Sequence, residues 1–134
     1  VLFGGCTASG PIERPTGLPY VFVSDGGSFS GTASTTIYSD GTLISSVSEP
    51  FSDAVETSVL VPPENYETAR TLAERAVREL QGVREPACED YGTTMIAIFD
   101  PVRQLSLVAA TDCPNQEYSE AKSAIGKAMS GGDV

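Results

Sequence analysis

The stretch GTASTTIYSDGTLISSV, residues 31–47, decides the fold class. Asp40-Gly41 sits between two runs rich in Thr, Ile and Val. Asp-Gly supplies the positive-φ positions of a tight hairpin turn, and β-branched flanks suit strands. A two-residue type I′ loop predicts Ser39 opposite Thr42, Tyr38 opposite Leu43 and Ile37 opposite Ile44, which aligns apolar residues across a pair of antiparallel strands. Upstream, Tyr20-Val21-Phe22-Val23 has strand composition and breaks at Asp25-Gly26-Gly27. Downstream, after Glu49-Pro50, residues 55–61 alternate Val55, Val59 and Val61 with Glu56 and Ser58, the pattern of a strand with one buried face.

Pro62-Pro63 opens a helix over residues 64–81, in which Tyr66, Ala69, Leu72, Ala73, Ala76, Val77 and Leu80 recur at helical spacing and Gly82 marks the stop. Glu67, Arg70, Glu74 and Arg78 occupy the other side as solvated partners, a face worth tenths of a kcal/mol per pair. A second hairpin is predicted from residues 93–99 and 103–111, turned at Asp100-Pro101-Val102. It is apolar on both faces, which predicts a central place in the sheet. A second helix over residues 115–129 carries Tyr118, Ala121, Ile125, Ala128 and Met129 on one side. Gly126 weakens its interior and Gly131-Gly132 ends it. Strands, helix, hairpin, helix read as α+β: a single antiparallel β-sheet with two helices packed on one face.

The 134 residues and 14.0 kDa suit one domain with a real core. A net charge of −10 with eight scattered Lys and Arg argues against nucleic acid, whose phosphates need clustered bases. No run approaches the roughly 20 apolar residues that span a bilayer as a helix. Residues 7–19 are poor in apolar groups and hold Pro11, Pro15 and Pro19 with Gly10 and Gly17, a tether composition. The expected organisation is therefore a short tail (1–5), a flexible tether (6–19) and one α+β domain (20–134).

The three cysteines are an odd number, so one needs a separate fate. Cys88 and Cys113 flank the second hairpin, which would bring them together. Their disulfide would close a loop of 25 residues, worth roughly 3–4 kcal/mol in the chain-entropy model. Two reduced thiols in a reducing compartment are the alternative. No CxxC or histidine accompanies them to suggest a metal.

Val1-Leu2-Phe3-Gly4-Gly5-Cys6 places a small-residue pair directly before a cysteine near the start of the given sequence, and in this it resembles the lipobox of bacterial lipoproteins. The resemblance implies that residues 1–5 end a signal peptide and that Cys6 is lipidated, anchoring the domain at a membrane of the bacterial cell envelope, in the periplasm or at the outer surface. Several acyl chains on one cysteine hold a soluble domain without a transmembrane helix. The plainer reading is an apolar tail with an ordinary thiol.

Catalytic options are few. The absence of histidine removes a Ser-His-Asp triad and a Cys-His pair. There is no GxSxG and no phosphate-cradling loop followed by lysine. A paired-carboxylate glycosidase site lacks an evident cleft. Asp25, Asp40 and Glu89-Asp90 do not follow an EF-hand ligand order, so no metal, cofactor or catalytic residue is assigned.

Ser24-Asp25-Gly26-Gly27-Ser28-Phe29-Ser30-Gly31 follows one strand and opens another. It resembles the strand-GGF-x-G-strand opening of emfourin-type inhibitors, small proteins that block thermolysin-like metalloproteases, with Ser28 inserted between the Gly pair and Phe29. The resemblance makes Asp25, Gly26, Gly27, Phe29 and Gly31 a candidate partner-binding loop. The same glycines also suit a bulge or tight turn, with Phe29 in the core. The sequence thus points to a non-catalytic, lipid-anchored envelope protein that binds another protein as an accessory or structural component of an assembly, with a protease inhibitor presenting the 25–31 loop as the alternative.

Overall fold

In a computed structural model of the protein, which describes residues 8–9, 12–27, 31–80 and 92–131, the chain reverses at Ser39-Asp40-Gly41, one residue more than a type I′ loop contains. Gly41 N–H donates to Tyr38 O at 2.9 Å and Gly41 takes φ 93°, which makes the turn a type I turn closed by a left-handed glycine. The Asp40 carboxylate accepts from Thr42 N–H at 2.9 Å. The extra residue shifts the predicted register by one: Ile37 faces Leu43, and Ile44 faces Thr36. A shift of one moves side chains to the opposite face. Ile37 and Leu43 therefore enter the core under the helices, while Ile44 goes to the other side of the sheet.

The elements run β1 (Ala8–Ser9), β2 (Tyr20–Gly27), β3 (Gly31–Tyr38), β4 (Thr42–Ser48), β5 (Val55–Leu60), α1 (Pro63–Leu80), β6 (Thr93–Asp100), β7 (Leu105–Thr111) and α2 (Gln116–Ser130). They form one sheet in the order β1-β5-β4-β3-β2-β6-β7, antiparallel throughout. The fold is α+β, with β2 to β5 as a meander. The second hairpin is not central as its composition predicted. After α1 crosses the sheet, β6 takes the open side of β2, with Val21 beside Ile98 and Val23 beside Ile96, and β7 ends the order.

One face of the sheet supplies Val21, Val23, Ile37, Leu43, Ile96, Ile98 and Ala109 to the core. Against it α1 packs Tyr66, Ala69, Ala73, Val77 and Leu80, and α2 packs Tyr118, Ile125, Ala128 and Met129. The two helices lie side by side. Asn65, at the start of α1, donates its amide to Met129 O at 3.1 Å near the end of α2. Asn115 caps α2 by accepting from Tyr118 N–H, and Gly131 closes it in the left-handed conformation.

The helix-free face carries Tyr20, Tyr38 and Phe99, with ring centroids 5.4 Å apart in each contact that Tyr20 makes. On this face Ile44 is only 1% exposed. Residues 12–19, in the segment read as a tether, join β1 beside β5 to β2 three strands further in, and so run across this side. Arg14 pairs with Glu56 close to Tyr38, Pro19 O accepts from Ser39 N–H at 3.0 Å, and Ile12 and Leu18 are half-buried.

Arg70, read as a solvated member of the charged face of α1, is instead buried. Its Nη1 donates to Asp100 Oδ2 at 2.7 Å and to the Tyr66 hydroxyl at 2.9 Å, and its side chain is 12% exposed against 3% for Asp100. The other Asp100 oxygen accepts from Val102 and Arg103 N–H, both at 3.1 Å. The Arg70 guanidinium and the turn amides hold the Asp100 carboxyl below the usual carboxylate range, against the opposing effect of burial.

Two outcomes follow from these contacts. A Cβ at Gly41 would lie 2.2 Å from Val61 O in a left-handed backbone, so Gly41→Ala lowers stability by at least the left-handed cost of about 1–2 kcal/mol, measured as a lower urea midpoint. Because the folded pKa of Asp100 is depressed, its contribution is complete above the unfolded value and is lost as pH falls through the folded one. Urea midpoints measured from about pH 5 to about pH 2 should fall more steeply in the native chain than in Arg70→Met, which lacks the pair.

Candidate functional site

The β2–β3 hairpin holds the residues that the sequence offered as a binding loop, and the structure shows how its base is built. Gly26 pairs with Thr32 and Gly27 with Gly31, which leaves residues 28–30, Phe29 among them, as the tip, outside the described residues. Gly26 has φ 131° and Gly31 φ 79°. A Cβ on Gly26 would come within 2.2 Å of Gly31 O, and one on Gly92, just before β6, within 2.4 Å of Gly26 O. Three backbones thus meet where only glycine fits, which gives Gly26 and Gly31 the structural role that a tight turn requires. Gly92 belongs to the same contact, though nothing in the sequence ties it to a loop so far upstream.

Asp25 fixes the hairpin from the other side. Its Oδ1 accepts from the Thr94 hydroxyl at 3.0 Å on β6, and its Oδ2 accepts from Lys122 Nζ at 2.8 Å on α2. The Lys122 hydrogen bond, together with the Thr94 bond, keeps the Asp25 carboxyl below its ordinary pKa despite partial burial. An ionised, doubly bonded carboxylate anchors well and is a poor proton carrier at neutral pH. Sequence reading missed Lys122 and Thr94, because Lys122 is one of two lysines on a helix of mixed charge and its partner is 97 positions away.

Beside this base lies an open groove of about 820 Å³, walled by Asp25, Gly26, Gly31 and Lys122 on one side and by Val47 and Ser48 at the end of β4 and Glu49-Pro50 of the turn after it on the other. It is wide and shallow, a shape for a protein segment more than for an enclosed small molecule. A smaller groove of about 330 Å³ separates the helices, floored by Leu72, Ala76 and Ala121 and rimmed by Arg75, Glu79, Glu117 and Glu120. Among the described residues no three His, Cys, Asp or Glu side chains cluster to hold a metal ion, and no helix is long and apolar enough to cross a membrane.

Of the cysteines, Cys113 is buried just after β7 and is disulfide-bonded. Cys6 and Cys88 lie outside the described residues, as do the 1–5 tail and Glu89-Asp90.

The Asp25–Lys122 pair is partly solvent-exposed, at 43% and 29%, so its effect is local. Lys122→Met should return the Asp25 carboxyl toward the ordinary aspartate range in a carboxyl-carbon NMR titration, while global stability changes by less than about 1 kcal/mol. A larger loss would show that Lys122 supports the whole domain and not the hairpin alone. No protein-family model matches the chain and no curated protein matches it, so its function has to be read from this site and from the sequence around Cys6.

Proposed function

We propose that this protein is a non-catalytic binding component of the bacterial cell envelope, anchored by a lipid on Cys6 and engaging a partner protein with the β2–β3 end of its sheet. The observation that carries the binding role is the rigid base of that hairpin. Gly26, Gly31 and Gly92 are closely packed, and Asp25 is tied to both β6 and α2, so the ends of β2 and β3 are fixed to the rest of the domain. A loop carried on strands that are already fixed loses less entropy on binding.

The anchor rests on Gly4-Gly5-Cys6 and its apolar approach. The disulfide state of Cys113 supports an oxidising compartment, and pairing of Cys113 with Cys88 leaves Cys6 for acylation. The fixed base of the hairpin also suits the second reading, an inhibitor that inserts the 25–31 loop into a thermolysin-like protease.

Two measurements test these proposals. Mass spectrometry of the protein made from its own precursor in bacterial envelopes should find an acylated Cys6 peptide and a Cys88–Cys113 linked peptide; a Cys6–Cys113 link would sink the anchor. Replacing residues 28–30 with a Gly-Ser turn should abolish capture of the crosslinked envelope partner. If that variant instead loses inhibition of a thermolysin-like protease and keeps its envelope partner, the inhibitor reading replaces the first.

A further inference from the structure

We infer that the half of the helix-free face formed by β2, β6 and β7 is where a second copy of the chain packs, sheet against sheet. Strand alternation puts Phe22 of β2, Met95, Ala97 and Phe99 of β6, and Val108 and Ala110 of β7 on this side, because Val23, Ile96, Ile98 and Ala109 beside them enter the core under the helices. Phe22, Ala97 and Val108 stand in one row across the three strands. Phe99 and Val108 are 41% and 43% exposed, and Ala110 is exposed beside them. All six are apolar. The described charges at the margins are Arg103 in the β6–β7 turn and Asp112, which accepts from the Thr93 hydroxyl at 2.7 Å. A continuous apolar face of this kind marks a contact surface.

Shape and charge both suit a second copy. Residues 12–19 cross the β3–β5 half of the same side, so the face has a raised half and a low half. A copy turned about a two-fold axis along β6 lays its own low half on this one, and the two straps end on opposite flanks instead of colliding. A two-fold contact has to be self-complementary, which an apolar patch is. At a net charge of −10 two copies repel wherever their acids face each other. In this arrangement the helices, with Glu64, Glu67, Glu74, Glu117 and Glu120, lie across the sheet from the contact and become the outer layers of a four-layer sandwich. Three strands about 4.8 Å apart, with about six residues each at about 3.3 Å, make a low half of roughly 300 Å² in projection. That is less than the roughly 800 Å² per partner of a standard interface, which makes the dimer reversible.

Sedimentation velocity of the full chain tests this, with free thiols alkylated so that no dimer is cross-linked through cysteine, over about 5 to about 500 μM protein, a range that brackets weak association. The expected result is a reversible monomer–dimer equilibrium. Val108→Asp and Ala110→Glu, both on the outward side of β7, should each weaken it at least about tenfold by setting a charge against the partner's apolar face. Circular dichroism would check the fold of each, and Ala110→Glu serves if Val108→Asp does not fold. Val55→Asp, at an exposed side chain on the helix side of the sheet, should leave the equilibrium unchanged. A chain that stays monomeric over the whole range overturns the dimer, and so does dimerisation that survives the β7 substitutions. A monomeric chain that loses a crosslinked envelope partner on Val108→Asp assigns the face to a different protein and likewise overturns it.

Discussion

A carboxylate that is 3% exposed must be paired, and the pairing of Asp100 sets much of what surrounds it. One oxygen organises the β6–β7 turn by accepting two backbone N–H groups, while the other draws Arg70 down from α1. The turn shape, the hairpin direction and the position of the helix over the sheet are thereby coupled. Tyr66 adds a third tie, its hydroxyl receiving the same guanidinium nitrogen that reaches Asp100. Arg70 Nη2 is buried with no hydrogen-bond partner among the described residues, so Nη1 and the ionic attraction to Asp100 carry the contact.

The two faces of the sheet are covered by different means. Helices α1 and α2 cover one face with a buried apolar cluster of both large and small side chains. The other face receives an irregular strap, residues 12–19, held by the Arg14–Glu56 pair and by the backbone bond between Ser39 and Pro19. This explains how Ile44 is buried without a helix above it. It also gives the beginning of the chain a part in the architecture, since β1 covers part of the outer edge of β5, which would otherwise offer unpaired backbone groups to another strand.

Much of this was legible from residue pattern. Both helices appear within a residue or two of the spans their periodicity marks, because apolar spacing, Pro62-Pro63 at one start and Gly131 at one end are local signals. The number and direction of the main strands follow from β-branched alternation and turn residues in the same way, although β2 runs on through Asp25-Gly26-Gly27, where the composition predicted a break, because β3 and β6 pair with it there. What escaped the sequence is what depends on a second segment. Asp40-Gly41 announced a turn but not its length, which Gly41 settles by its contact with Val61. Arg70 is indistinguishable in pattern from Arg78, and only the distant Asp100 draws its side chain largely out of solvent. The hairpin of β6 and β7 is apolar on both faces, yet its place is decided by the open side of β2. At the candidate site, Asp25, Gly26 and Gly31 were visible as turn chemistry, whereas Gly92 and Thr94 at the start of β6 and Lys122 on α2 come from two distant parts of the chain.

The position of β2 bears on how the domain assembles. It is hydrogen-bonded on both sides, to β3 through a short hairpin and to β6 only after the whole of β4, β5 and α1 has intervened. The first pairing is local and quick; the second closes a long loop and is slower. In a chain that emerges from its N-terminus, Val21 and Val23 stay uncovered on one side until β6 arrives, and during that interval the meander is an open-edged sheet. Those two valines mark where the growing chain is most exposed to association with its neighbours.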